Sequence, residues 1–258
     1  LITMKEAFEF DEHVREAGDF LITSCCCPVW IKLIEGRYSE LSAHISPSVS
    51  PMIASGRVIK TLEPQAKVVF IGPCIAKKTE ATLPDLAGAI DFVLTFQELA
   101  AIFQATGIDP AEQPDEENAV ASRAGRIYAR AGGVSEAVAE TLARILPKRA
   151  GALQPLKVDG IPACQKVLEQ AKTGALEANF IEGMACLGGC VGGPGRIVGV
   201  EQSTEAVNDY GAAAAAATPV ENPQVYQLLT RLGLEMSASL LTTESPAGLV
   251  LARRIQKP

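Results

Sequence analysis

Short apolar runs that stop at glycine or proline and give way to helix-type patterns recur along this chain. That alternation narrows the possible folds more than any other feature. "AKVVFIGP" (66–73) is continuously apolar, as suits a strand buried on both faces of a parallel sheet. Ala89 to Leu94 repeats the pattern. Thr95 with Glu98 then forms a capping box, and Gly107 can end the helix it starts. "GGVSEAVAETLARIL" places Val134, Val138, Leu142 and Ile145 on one helical face. "LKVDG" predicts a strand, "IPACQKVLEQAKTG" a helix stopped at Gly174, and "EANFIEG" (177–183) another strand. "ENPQVYQLLTRLG" offers Asn222 as N-cap and Pro223 at the first helical position. Strand, loop and helix in repetition predict an α/β fold, and 258 residues suffice for one large domain or two modest lobes. No internal repeat is visible. The acidic stretch 109–120 predicts a surface loop, and the six alanines 212–217 support no inference.

Seven cysteines punctuate this pattern: Cys25, Cys26 and Cys27 in "TSCCCPVW" (23–30), then Cys74, Cys164, Cys186 and Cys190. The number is odd and the chain is neither small nor cysteine-dense, so a secreted disulfide framework is excluded. Cys164, isolated at the start of a predicted helix, is expected to be an ordinary buried residue. The others lie in three loops rich in Gly, Pro or Ser: "TSCCCPVW", "GPCIAKKTE" (72–80) and "EGMACLGGCVGGPG" (182–195). Cys74 and Cys186 each follow a predicted strand end by three residues, where ligands gather in α/β folds. Glycines let a backbone approach a bulky inorganic group closely. The two histidines, His13 and His44, lack zinc-ligand spacing. An all-thiolate site therefore favours iron–sulfur or zinc, and the number of glycines favours the larger cluster, although a C-x₃-C pair alone is weak evidence.

Composition removes other classes. The net charge of −7, with no Lys/Arg cluster to offset it, argues against a nucleic-acid surface. No apolar run reaches the roughly 18 residues a membrane span requires. "LITMKEAFEFDEH" lacks the basic-then-apolar order of a signal peptide, and it reads as the start of a fragment or a trimmed chain.

In order and separation, the three cysteine motifs resemble the signatures of the iron-iron hydrogenases: T-S-C-C-P-G-W, M-P-C-x-x-K-x-x-E and E-x-M-A-C-x-G-G-C-x-x-G-G. "IDFVLTFQEL" and "GGVSEA" extend the resemblance over essentially the whole chain. It implies a catalytic domain over residues 1–258, lacking its N-terminal part, with a metal site in the cleft between two lobes, each a mostly parallel sheet flanked by helices. It further implies reversible oxidation of H₂ at an H-cluster: a 4Fe–4S cluster joined to a two-iron subsite carrying carbon monoxide, cyanide and a dithiolate amine. Cys74, Cys186 and Cys190 match three cluster ligands, Cys190 also bridging to the two irons. Lys77 matches the lysine beside a cyanide ligand, and Met184 the methionine beside the two-iron site. Implied partners are a ferredoxin or an iron–sulfur domain or subunit, and cofactor maturation proteins. The implied setting is the cytoplasm of an anaerobic microbe. A non-catalytic or sensory iron–sulfur protein on the same fold stands as the alternative.

The triplet holds one cysteine more than the family motif, whose first cysteine relays a proton and whose second ligates the cluster. Anchoring on Thr23-Ser24 makes Cys25 the relay and Cys26 the ligand, with Cys27 doing neither. Anchoring on Pro28-Val29-Trp30 makes Cys26 the relay and Cys27 the ligand. The first register leaves the start of the motif intact and is the expectation adopted. The resemblance also implies a proton path through Glu6, Ser46 and Glu9, although two glutamates three apart are more commonly a solvated helix face. Lys77 and Met184 likewise have ordinary alternatives as a solvated lysine and a core methionine. Three positions depart from the family: His13 stands for arginine, Gly72 for methionine and Met52 for glutamine.

Overall fold

The computed structural model describes the chain except residues 24, 115–119, 236–239, 242–245 and 254–258; of 246 and 247 it describes the backbone only. Ser24 and part of the expected acidic loop thus lie outside the described residues. The first half runs α1 (Ile2–His13), β1 (Leu21–Ile22), α2 (Pro28–Arg37), α3 (Pro51–Leu62), β2 (Val69–Gly72), α4 (Ala76–Glu80), β3 (Phe92–Thr95) and α5 (Phe96–Thr106). The second half runs α6 (Arg123–Arg126), α7 (Gly133–Ile145), β4 (Pro155–Asp159), α8 (Ile161–Lys172), β5 (Phe180–Met184), α9 (Val200–Ala212) and α10 (Pro223–Leu232).

Two parallel sheets organise these elements, as the alternation requires. One has the order β1-β5-β4, with Leu21 opposite Phe180 and Leu156 opposite Ile181. All five residues of its central strand β5 are buried. Ile22 and Ile181 face a core shared with Trp30, Ile34, Cys164 and Leu168 of α2 and α8. Leu21, Phe180 and Met184 face the other way, into a core with Phe10 of α1 and Val134, Val138 and Leu142 of α7. The predicted helical face of α7 is therefore the buried one, with Ile145 half-buried at its end.

The second sheet pairs β2 with β3, Val69 opposite Phe92 through Gly72 opposite Thr95. Here the structure corrects an expectation. The run 66–73 is not buried on both faces, since Val69 and Ile71 are 46% and 42% exposed. The strands alternate instead, with Phe70 and Val93 turned onto a third core of Ile53, Val58, Leu86 and Leu229 from α3, α10 and the loop before β3. Among the described residues this sheet has two strands covered on one face, so period two replaces a continuous buried run.

Local chemistry sets the element ends. Thr95 accepts from Glu98 N–H while Glu98 bonds back to Thr95 N–H, and Gly107 closes α5 at φ 69°. Asn222 caps α10 by accepting from Gln224 N–H at 3.0 Å.

Candidate metal centre

The triplet turn joins β1 to α2 and is fastened at both ends. Pro28 occupies the first turn of α2. Trp30 is fully buried, and its indole Nε1 donates to the Thr23 carbonyl at 3.1 Å. β5 runs so close beneath this ring that a Cβ on Gly183 would fall 2.3 Å from Trp30 Cε2. A turn this tight sends consecutive side chains in different directions. Cys25 enters the core of Ile2, Val49 and Ile53. Cys26 enters the core of Met184 and Phe10. Cys27 lies against the core of Trp30 and Cys164.

The second loop follows β2. It presents Cys74 and then α4, whose Lys77 and Glu80 are both buried and paired, Nζ to Oε2, at 2.6 Å. The third follows β5 and presents Cys186 and Cys190. Between them Gly188 and Gly189 take φ of 81° and 87°, which residues with a Cβ rarely adopt. Asp159 at the end of β4 accepts from Gly188 N–H at 2.6 Å. Gly195 N–H donates to the Pro73 carbonyl at 2.8 Å, tying the third loop to the second.

The electrostatic surroundings identify which thiols share a space. Burial pushes Cys190 up to about 12, helped by Cys27, Cys74 and Cys186, while Lys77 opposes the shift. Burial also raises Cys186, and the nearby thiols Cys27 and Cys74 add to the effect. Cys27 is raised by burial and by Cys74, against backbone N–H donors at Ala185 and Trp30. Thiols from all three loops therefore lie within one another's influence, with Cys27 acting on both Cys186 and Cys190. Cys26 is raised by burial, then by Cys190 and Cys25, with Lys77 opposing. Burial works against the charge of Lys77, but Glu80 and the thiols Cys26 and Cys190 outweigh it and the net shift is upward. Cys26, Lys77 and Cys190 thus influence one another, and Met184 shares a buried core with Cys26 and Cys190. Cys164 sits apart, donating to the Met184 carbonyl at 3.5 Å, although its thiol, pushed up to about 11 mainly by burial, still feels Cys27.

A buried polar chain leads away from the triplet. Cys25 Sγ lies 3.8 Å from Glu6 Oε1 and 3.3 Å from the Val49 carbonyl. Glu6 accepts from the Thr23 hydroxyl and, at 3.0 Å, from the Tyr128 hydroxyl. Burial raises its pKa to about 7 against the help of those donors. Glu9 accepts from Ser46 at 2.5 Å, from Ser48 at 3.0 Å and from the Lys5 ammonium. Glu6, Glu9, Lys5 and Ser46 are all fully buried, which excludes the solvated-face alternative for α1. His13 Nδ1 lies 3.0 Å from the Glu9 carbonyl, at the outer end of the same helix. Sequence inspection missed Lys5, Thr23, Ser48 and Tyr128. The spacing of Lys5 and Glu9, four apart, was the one available signal. Of the other departures, a Cβ at Gly72 would meet the Phe70 ring at 2.9 Å, so a side chain there would displace that ring, and Met52 is core.

The donor set suits a cluster better than one ion. Among the described residues no three His, Cys, Asp or Glu side chains close around a single metal. Four soft thiolates spread over three loops, with glycine backbone between two of them, match a larger iron–sulfur group.

Comparison with known proteins agrees. Residues 1–194 match the family described as "Iron only hydrogenase large subunit, C-terminal domain". The periplasmic [Fe] hydrogenase large subunit of Nitratidesulfovibrio vulgaris is 33% identical over 236 residues, 75% of this chain and 56% of that protein. The cytosolic iron-sulfur assembly component 3 of Pongo abelii is 25% identical over 260 residues, 81% of this chain and 54% of that protein. The chain thus spans about half the length of these curated relatives. A variant of the [FeFe]-hydrogenase from Chlamydomonas reinhardtii shares the fold, with a TM-score of 0.72 and 24% identity over 99% of this chain and 82% of that one. Among the described residues no helix is long and apolar enough to cross a membrane.

Proposed function

Since the chain belongs to the family of the C-terminal domain of iron-only hydrogenase large subunits, we propose that it interconverts H₂ with protons and electrons at an H-cluster. The observation that carries this proposal is the convergence of three cysteine loops beside a buried lysine, with a buried glutamate chain leading away. In this assignment Cys27, Cys74, Cys186 and Cys190 would hold the 4Fe–4S cluster, and Lys77, Met184 and Cys26 would line the place of the two-iron subsite. The mutual influence of those four thiols supports the register anchored on Trp30, in place of the one that makes Cys26 the ligand.

When bound, the iron group supplies the centre at which the H–H bond is made or broken and through which electrons leave. The chain's residues manage the rest. Lys77, kept cationic by Glu80, offers a charged donor to an anionic ligand in a space shielded from water. Met184, 1% exposed, fills one wall with a polarisable apolar group. Cys26 Sγ holds a proton, since its raised pKa keeps it a thiol unless metal or base removes the hydrogen. Cys25 Sγ stands next in line, and Glu6 Oε1 receives from it. The partners this assignment calls for are a ferredoxin or an iron–sulfur domain or subunit, to which electrons would pass, and maturation proteins, which would supply the two-iron group.

A second assignment, a non-catalytic iron–sulfur protein on the same fold, draws on the likeness to the assembly component. Infrared bands of bound carbon monoxide and cyanide on matured protein, with H₂ turnover, separate the two. Their absence despite a full 4Fe–4S complement would favour the second. Serine substitutions assign the triplet. Cys27→Ser is expected to lose iron, because a ligand is lost. Cys26→Ser is expected to keep iron and lose about 10²- to 10⁴-fold in rate, the usual worth of a positioned proton carrier. If Cys26→Ser empties the site while Cys27→Ser spares it, the register anchored on Thr23 is the right one.

A further inference from the structure

Two glutamates one turn apart on α1, both sealed from solvent, have surroundings of opposite character. Glu9 accepts from a lysine ammonium and two serine hydroxyls, so donors occupy both its oxygens. Lys5 itself is 0% exposed, and an ammonium has hydrogens to give and no lone pair to accept one. A proton placed on Glu9 would leave that ammonium facing a neutral acid in a dry core, the arrangement burial penalises most. Glu6 meets only hydroxyls and a thiol: Thr23, Tyr128 and Cys25. Each of these can donate to a carboxylate or turn and accept from a carboxylic acid. Glu6 is therefore bistable with respect to its proton, and Glu9 is not. Other charged or titratable groups leave this contrast intact. His13 approaches the Glu9 backbone carbonyl, not its carboxylate. Lys77 and Glu80, beyond Cys25, neutralise each other.

We propose that Lys5 is a positioning residue that holds Glu9 permanently ionised, so that Glu6 alone of the two glutamates carries protons and Glu9 serves as a fixed charge. The purpose of this division rests on the hydrogenase assignment, but its test does not. Infrared difference spectra of the metal-free protein, recorded between about pH 5 and about pH 9, read protonated carboxyls directly. Glu80 and Glu182 are also buried, but being common to the protein and its variants they cancel in the differences. Glu6→Gln is expected to remove a protonated-carboxyl band that titrates near neutrality, and Glu9→Gln to remove carboxylate absorption only. Lys5→Met is expected to create a new protonated-carboxyl band, absent when Lys5→Met is combined with Glu9→Gln, while Lys5→Arg creates none. A protonated-carboxyl band lost in Glu9→Gln, or no new band in folded Lys5→Met, would overturn the proposal. If Lys5→Met does not fold, the Glu9→Gln difference and the Lys5→Arg spectrum still decide it. A protein that proves unable to turn over H₂ would give the same spectra if the proposal holds, so the two failures are distinguishable.

Discussion

Glu6 is the residue whose protonation the fold controls most plainly. Burial raises its pKa from 4.5 to about 7, so the unfolded chain releases this proton at lower pH than the native protein does. Below pH 4.5 both states are protonated and the native state bears no penalty. Between there and neutrality only the unfolded state gains by ionising, so stability is lost as pH rises, by about 3 kcal/mol for a shift of this size. Urea unfolding of the metal-free protein at several pH values is expected to show that decline, and Glu6→Gln to flatten it. An unchanged slope in Glu6→Gln would place the titration elsewhere. Residues at this scale were legible where a motif named them: Lys77, Met184 and the loop cysteines stand at fixed places in recognisable patterns. Lys5 was not legible, because a lysine four residues from a glutamate reads the same on a solvated helix as on one enclosed by α7 and the α3 core. Burial is a property of what packs against a residue. The triplet was ambiguous for a related reason, since register within a turn depends on where Trp30 is anchored.

Among the elements, β5 carries a constraint that reaches the cysteine triplet. Gly183 lies beneath the Trp30 ring with no room for a methyl group, and Trp30 in turn fixes the turn bearing the three cysteines. Gly183→Ala must displace the ring or bend the strand, and overpacking of that kind costs about 1–3 kcal/mol. Denaturant unfolding of the metal-free protein is expected to register that loss, and iron uptake to fall with it as the Cys27 loop shifts. Normal stability and uptake would mean that the ring has another place to go. Elements announced by end signals were legible: the capping box and glycine stop of α5, the Asn-Pro start of α10 and the β4–α8–β5 unit all lie where the sequence puts them. β2 and β3 were harder, because a run of apolar residues does not reveal whether one face or two will be covered.

At the scale of the whole molecule, the proposed cluster ligands come from both sheets. Cys27 follows β1 and Cys186 and Cys190 follow β5, whereas Cys74 follows β2 of the other sheet. A group bound by all four would tie the loops of the two sheets together, and binding to the native state alone adds to stability. Reconstitution with 4Fe–4S is therefore expected to raise the thermal midpoint, and Cys74→Ser to abolish most of the rise while changing the metal-free midpoint little. An equal rise in Cys74→Ser would mean that the cluster is held by the loops of one sheet alone. Hydrogen bonds close the seam: Gly195 N–H donates to the Pro73 carbonyl, Gln97 N–H to the Gly195 carbonyl, and the Gln97 side-chain amide to the carbonyls of Pro194 and Arg196. Because these bonds meet main-chain atoms of both loops, a cysteine can be exchanged on either loop without loosening the seam itself.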